Sequence, residues 1–244
     1  KKSLELVGAV DVDPKKVGKD AGEIFGFDKA NVIVSDDIDE VLKQEADVVL
    51  IYLPNMRDEG NLRPTGFTPN ARNICKALSA NKNVLTTLPV YNMKETAPQL
   101  YDMVNNCALE HGVTYIQQGI FPGLFNSYLP VVVSSMAGRI DKLIVTGGQD
   151  DSYNTSPWVQ VFGYGKDPKD FNGDVIKDII TSYYGPTVME IARRCGIEYD
   201  DYVEEHRLFT SKMELNPPCG KVMPGTISAH EFIMKCLRDG KEVT

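Results

Sequence analysis

Short apolar segments alternate with amphipathic ones through the first half of the chain, and this alternation is the feature that most constrains the fold. The segments that predict strands are 4–10, 31–35, 46–55, 83–89 and 113–119. The segments that predict helices begin at Asp13 and then cover 38–45, 70–80 and 95–111. Strands and helices that alternate at this spacing indicate βαβ units. The sequence therefore predicts a parallel, Rossmann-type sheet with helices on both faces and all carboxyl strand ends on one edge.

Asp11 ends the first predicted strand, and Asp13-Pro14 then predicts a helix start. In a doubly wound nucleotide-binding sheet, an acid at the end of the second strand accepts hydrogen bonds from the dinucleotide ribose. Asp11 is thus a candidate ribose ligand, with a solvated turn aspartate as the alternative. In that role it implies that the first strand and its glycine-rich loop precede residue 1. Val12 stands where NADP enzymes often carry arginine, which favours NAD over NADP.

Further candidates for cofactor contacts lie at or just after the carboxyl ends of the later predicted strands. They are Pro54, Asn55, Thr86, Thr87, Leu88, Gly119, Phe121 and Pro122. Ligands in open α/β sheets bind at this edge. Each candidate also has a structural alternative, because threonine is common in strands and asparagine in turns.

The bulk composition restricts the class of protein. A net charge of −8 argues against a nucleic-acid or anionic-membrane partner. No apolar run approaches the ~20 residues of a membrane span. Five scattered cysteines without a CxxC pair indicate reduced thiols and a cytoplasmic protein. His206 and His230 are far apart in sequence, and no ligand spacing predicts a metal site.

The pattern changes after Gly119, which predicts two domains, 1–119 for a dinucleotide and 120–244 as an α+β domain for the substrate. In the second domain, 140–150 predicts a strand and 204–215 another. The helical pattern of 175–197 contains Gly185-Pro186 and predicts two helices. The strands predicted within 226–244 are short, and the chain is expected to be truncated at this end too.

Aromatic residues of the second half are candidates for an apolar substrate pocket, although most aromatic residues are core residues. The predicted substrate contacts are Phe121, Asn126, Tyr153 and Tyr184.

Four phrases carry a family resemblance. They are GAVDVDPKKVGKDAGEIFG at 8–26, NVLTT at 83–87, HGVTYIQQGIFPGLFNSYLP at 111–130 and YGPTVMEIARRCGI at 184–197. The chain resembles the dihydrodipicolinate-reductase-like NAD(P)-dependent oxidoreductases, nearest the 2,4-diaminopentanoate dehydrogenase and amine dehydrogenase branch. The resemblance implies a nicotinamide cofactor, hydride transfer to or from a small carbonyl, imine or amine, and a homodimer.

One departure concerns the proton chemistry. The amine dehydrogenases carry a glutamate just after the NVLTT-like strand, whereas residues 88–92 here read LPVYN. Tyr91, Tyr153 or a group of the substrate is therefore the predicted proton donor, which favours carbonyl reduction over amine chemistry. A non-catalytic nucleotide-binding homologue and a sugar or polyol oxidoreductase are the alternatives.

Overall fold

The computed structural model of the chain describes residues 4–53, 56–87, 93–156 and 158–244, apart from the side chain of residue 158. Its strands are β1 Ala9–Val10, β2 Val34–Ser35, β3 Val48–Ile51, β4 Asn83–Thr86, β5 Tyr115–Gln117, β6 Asp201–Thr210, β7 Ile227–Arg238 and β8 Lys241–Glu242. Its α-helices are α1 Ala21–Ile24, α2 Ile38–Val41, α3 Thr68–Ser79, α4 Met93–Thr96, α5 Pro98–His111, α6 Leu129–Ser134, α7 Trp158–Phe162 and α8 Gly173–Cys195. Short 3₁₀ turns lie at Pro64–Gly66 and Pro168–Asp170, and a π-helical turn spans Leu124–Tyr128.

The strands of the first half are parallel, as predicted. β1 pairs with β2, and β4 lies between β3 and β5 in a second parallel sheet. Residues after 119 contribute an antiparallel sheet in which β7 pairs with both β6 and β8. The α/β fold class with an α+β second half is therefore confirmed, whereas the domain boundary at residue 119 stays a prediction.

The main core lies on one face of the β3–β4–β5 sheet, under α3 and α5. Its fully buried members include Phe67, Leu78 and Val84. The opposite face is open in the described part of the chain, since Val48, Leu50 and Ile116 keep 42%, 51% and 51% of their surface exposed. The prediction of helices on both faces holds for one face only among the described residues.

The first predicted helix begins later than expected. Residues after Asp13 form turns, and the Asp13 carboxylate accepts a hydrogen bond from Lys15 N–H at 2.9 Å. Helix α1 instead has Asp20 as its cap, which accepts bonds from the N–H groups of Gly22 and Glu23 at 2.8 and 3.3 Å. The prediction at Asp13 was wrong because Asp13 caps a turn just as well as a helix.

Helix α8 is continuous through Pro186, so the predicted break at Gly185-Pro186 was wrong. An internal proline costs a helix about 3 kcal/mol. Burial of Ile176, Ile180 and Ile191 along the same helix, each worth roughly 1.5–3 kcal/mol, offsets that cost.

Two strand predictions in the second half also require correction. Residues 140–150 form no strand in the structure; Leu143 makes one backbone bond, to the carbonyl of Val243 at 3.0 Å. Conversely, β7 is a strand of 12 residues where only short strands were predicted. Its length comes from pairing along β6, from Asp201 opposite Leu237 to Thr210 opposite Ile227.

Candidate functional site

The carboxyl ends of β3, β4 and β5 lie in register. Ile51, Thr86 and Gln117 pair side by side in the last row of the sheet. Thr86 is completely buried, and its hydroxyl donates to the carbonyl of Ile51 at 2.8 Å. Thr87 follows as an exposed residue, and half-buried Gly119 comes two residues after β5. The register therefore places Thr87 and Gly119 at the predicted edge, with Thr86 supporting it from inside.

Gln117 leaves a polar atom unsatisfied at this edge. Its Nε2 is buried and has no hydrogen-bond partner among the described residues. Buried amide groups normally find a partner, so this N–H donor indicates a place where a ligand or water accepts a hydrogen bond.

Asp11 follows β1 and is tied to its neighbours. Its backbone N–H donates to the carbonyl of Ser35 at 3.0 Å, and Oδ1 accepts from Asp13 N–H at 2.9 Å. Lys16 Nζ donates to Oδ2 at 2.5 Å. The hydrogen bonds from Lys16 and from backbone N–H groups hold the pKa of Asp11 below its usual range. Val12 beside it is exposed.

An open groove of about 900 Å³ lies along the segment that follows β1; Lys16, which bonds Asp11, is one of its lining residues. It is lined by four lysines, Lys15, Lys16, Lys19 and Lys29, together with acidic residues of the same segment.

The junction after β5 brings Phe121 against α8. The Phe121 and Tyr184 rings lie 4.9 Å apart at an angle of 57°. The Phe121-Pro122 peptide bond is cis, and Gly123 has a φ of 139°, which a side chain would strain. Predicted contacts for cofactor and substrate are thus brought together at this junction.

Asn126 holds the junction together from inside. Its Oδ1 accepts from Gly123 N–H at 2.8 Å, and its Nδ2 donates to Thr187 Oγ1 at 3.2 Å. Asn126 is buried, whereas Tyr153 is 78% exposed. The structure places Tyr153 on the surface, while the substrate and proton-donor roles predicted for these two residues stay predictions.

A cavity of about 200 Å³ was not predicted from the sequence. The segments after β3 and β4 form part of its wall, through Arg63 and Thr96, and α8 and β6 form the rest. Arg63 NH1 and NH2 each donate to a different carboxylate oxygen of Glu204 at 3.2 Å. Because Arg63 and Glu204 lie 141 residues apart, no local pattern links them.

The polar groups of this cavity have defined charge states. Burial alone would raise the pKa of Glu204, but the hydrogen bonds from Arg63 bring it below its usual value, so Glu204 stays ionised. Burial and the neighbouring Glu204 raise the pKa of Tyr202, so its phenol stays protonated. The hydroxyls of Thr181 and Tyr202 lie near Glu204. Neither hydroxyl has the distance and angles of a hydrogen bond to any described residue.

Four predicted site residues, Pro54, Asn55, Leu88 and Tyr91, lie outside the described residues. Within the described ranges, no group of three His, Cys, Asp or Glu side chains could hold a metal ion. The same residues contain no helix long and apolar enough to cross a membrane.

Comparisons with known proteins show which families and structures this chain is similar to. Residues 1–52 match the family described as dihydrodipicolinate reductase, N-terminus. An amine dehydrogenase of Streptomyces virginiae is 28% identical over 208 residues, which are 83% of this chain and 55% of that protein. The structure of an amine dehydrogenase from Mycobacterium smegmatis matches with a TM-score of 0.75 at 21% identity, over 96% of this chain and 68% of that one.

These matches confirm the resemblance to the dihydrodipicolinate-reductase-like oxidoreductases and their amine dehydrogenase branch. The structural match confirms the fold. The chain spans about half the length of the curated relative, 55%.

Proposed function

We propose that this protein is a nicotinamide-dependent oxidoreductase that transfers a hydride to or from a small carbonyl, imine or amine. The observation that carries the proposal is Asp11, an ionised carboxylate at the carboxyl end of a parallel strand. The match of residues 1–52 to the reductase family includes this position, and the amine dehydrogenase relatives support the reaction class.

The carboxyl ends of β1 and of β3, β4 and β5, which belong to two separate sheets, together offer groups that suit a dinucleotide. Asp11 offers an ionised acceptor for ribose hydroxyls, and the unpartnered Nε2 of Gln117 offers a donor at the end of β5. The other predicted cofactor contacts are Thr87, Gly119, the junction residues Phe121 and Pro122, and Pro54, Asn55 and Leu88. Bound there, the nicotinamide would supply or accept the hydride. NAD is favoured because Val12 stands where NADP enzymes often carry an arginine, although Lys16 places one positive charge on Asp11.

The cavity at Glu204 is the proposed place for the polar group of the substrate. Ionised Glu204 accepts hydrogen bonds, and the protonated Tyr202 phenol can donate one through Oη. Phe121 and Tyr184 would form the apolar wall nearby. An ionised carboxylate next to the substrate is compatible with an amine, and it is a carboxylate of the kind that residues 88–92 lack.

Carbonyl reduction without ammonia is the second candidate, because Tyr91 is the titratable side chain within residues 88–92. A non-catalytic homologue and a sugar or polyol oxidoreductase stay alternatives. The free thiols among the described residues support a reducing, cytoplasmic location. The homodimer rests on the resemblance alone, and sedimentation velocity would test it.

The deciding experiment is an NADH oxidation assay of the full chain with a panel of small ketones and aldehydes, with and without ammonia. Turnover that requires ammonia would establish amine chemistry. Turnover without ammonia would support the carbonyl candidate, with Tyr91→Phe as the variant expected to abolish it. Dinucleotide binding without turnover on any substrate would support the non-catalytic alternative. Absence of NADH binding in calorimetry would contradict the proposed function.

A further inference from the structure

The ring of Phe121 is confined by two other parts of the chain. It packs against the ring of Tyr184 in α8, with the centroids 4.9 Å apart. A Cβ built on Gly147 would lie 2.9 Å from Phe121 Cζ and 3.1 Å from Cε2, so the backbone at residue 147 approaches the ring closely. The position of Phe121 therefore depends on α8 and on the segment around Gly147.

A chain of hydrogen bonds connects the backbone of the same junction to α8. Gly123 N–H donates to Asn126 Oδ1 at 2.8 Å, and Asn126 Nδ2 donates to Thr187 Oγ1 at 3.2 Å. The Thr187 hydroxyl donates in turn to the carbonyl of Tyr184 at 2.6 Å. Asn126 and Thr187 keep only 8% and 1% of their surface exposed, so a lost partner would leave a buried polar group unsatisfied. The chain of bonds ends at the residue whose ring packs on Phe121.

The backbone at this junction is uncommon. Gly123 has a φ of 139°, and a π-helical turn, Leu124–Tyr128, follows it directly. Only glycine adopts such a φ at low cost, and single π-helical turns are rare and frequent at functional sites. The amide of Asn126 lies inside this turn and bonds its first N–H group, so it stabilises a backbone that would otherwise relax.

The junction stands at the end of the site opposite to Asp11. Asp11 follows β1, whereas Phe121 follows β5, a strand of the other parallel sheet. A dinucleotide bound to a doubly wound fold spans both halves of it. If Asp11 binds the adenosine ribose, the groups after β5 face the nicotinamide end.

We propose that Asn126 is a positioning residue for the nicotinamide: through Gly123 and Thr187 it holds the junction so that Phe121 forms a fixed wall beside the ring. This inference rests on the proposed function. Without the Asn126 amide the junction has no fixed arrangement, and the dinucleotide must order it on binding, which weakens affinity. The adenosine end at Asp11 does not depend on these bonds.

The test is isothermal titration calorimetry of the full chain with NADH and with ADP-ribose, which lacks the nicotinamide. The unmodified protein should bind NADH more tightly than ADP-ribose. Asn126→Leu removes both amide bonds at similar volume and should weaken NADH binding by roughly tenfold to a hundredfold. ADP-ribose binding should change by less than about twofold, which also shows that the variant is folded.

Thr187 provides a matched pair of variants for the same bond. Thr187→Val keeps the shape and removes the hydroxyl, so NADH binding alone should weaken by roughly threefold to tenfold. Thr187→Ser keeps the hydroxyl and should retain NADH binding within about twofold. Ser135→Ala is the control, because it removes a hydroxyl that bonds a carbonyl three residues earlier in the same way, on the exposed side of α6. It should leave both affinities unchanged.

The ratio of the two affinities separates positioning from general support of the fold. An equal loss of NADH and ADP-ribose binding in Thr187→Val, or unchanged NADH binding, would overturn the inference even if Asn126→Leu does not fold. Equal affinities of NADH and ADP-ribose for the unmodified protein would also overturn it. Failure of the unmodified protein to bind either ligand would instead refute the proposed function.

Discussion

At the scale of single residues, His206 and His230 form a hydrogen-bonded pair inside an aromatic cluster. His206 Nε2 lies 2.9 Å from His230 Nδ1, and His230 Nε2 lies 2.9 Å from the carbonyl oxygen of Phe162. The carbonyl can only accept, so His230 donates through Nε2 and, when neutral, accepts through Nδ1. His206 stacks on Phe232 with ring centroids 4.6 Å apart. The two facing ring nitrogens can share one proton, which leaves both rings neutral. A second proton between these nitrogens would be disfavoured.

The fold should therefore lose stability as the pH falls through the histidine range. Burial lowers the pKa of both His206 and His230 in the folded protein. The unfolded chain, with histidine pKa values near ~6.5, then binds protons first. Stability is complete above that value and decreases below it, so urea unfolding should show a lower midpoint at pH 5.5 than at pH 7.5.

His206→Phe preserves the stacking on Phe232 and removes one titrating ring of the pair. The difference between the two midpoints should become smaller in this variant. His111→Gln is the control, because His111 lies at the end of α5, away from the cluster. An undiminished pH difference in His206→Phe would contradict the assignment to this pair.

At the scale of elements, α8 meets β6 at a glycine. A Cβ on Gly185 would lie 2.2 Å from the hydroxyl oxygen of Tyr202 and 3.2 Å from its Cζ. The absence of a side chain there lets β6 approach the helix and leaves room for the cavity at Glu204. The close approach of the neighbouring sheet therefore explains the glycine at position 185, which helix propensity alone would disfavour.

Gly185→Ala should destabilise the protein although alanine is the better helix former. Overpacking costs about 1–3 kcal/mol, against a helix gain of about 1 kcal/mol. In a Tyr202→Phe background the hydroxyl is gone, so the same change should be much less harmful. A double-mutant cycle from urea unfolding measures this coupling.

Gly138→Ala is the control, because nothing lies within 4 Å of a Cβ built there and its φ is not positive. Additive effects of Gly185→Ala and Tyr202→Phe would show that the close contact is absent in solution.

At the scale of the whole molecule, the segment after β3 joins the parallel sheet to the second half of the chain. The Arg57 guanidinium carbon lies 4.4 Å from the Phe67 ring centroid and 5.1 Å from that of Tyr183. Its NH2 donates to Ser182 Oγ at 2.9 Å, and its NH1 donates to the carbonyl of Leu62. Phe67 belongs to the main core, so α8 and the parallel sheet share one packed region.

Arg57→Ala should reduce the free energy of unfolding by about 1–3 kcal/mol, because it removes charge-assisted hydrogen bonds and leaves Ser182 without this donor. Arg57→Lys should recover only part of that loss, since an ammonium cannot stack between the two rings and donate to both partners. Denaturant unfolding monitored by tyrosine fluorescence and by circular dichroism gives both values. Arg139→Ala, at an exposed arginine paired with Asp141, should change stability by no more than about 0.5 kcal/mol. An effect of Arg57→Ala as small as that would show that this junction contributes no stability.

Local sequence information was sufficient for the parallel half of the fold, because continuous apolar runs rich in β-branched residues, such as Val48–Ile51, favour strands. It was also sufficient to place Asp11 at a strand end, since position relative to a strand is a local property. Tertiary structure alone decided which distant groups meet. Arg63 reaches Glu204 across 141 residues, and His206 meets His230 because β6 and β7 pair. The continuity of α8 through Pro186 and the length of β7 were likewise decided by burial and pairing, which act between elements and leave no local pattern.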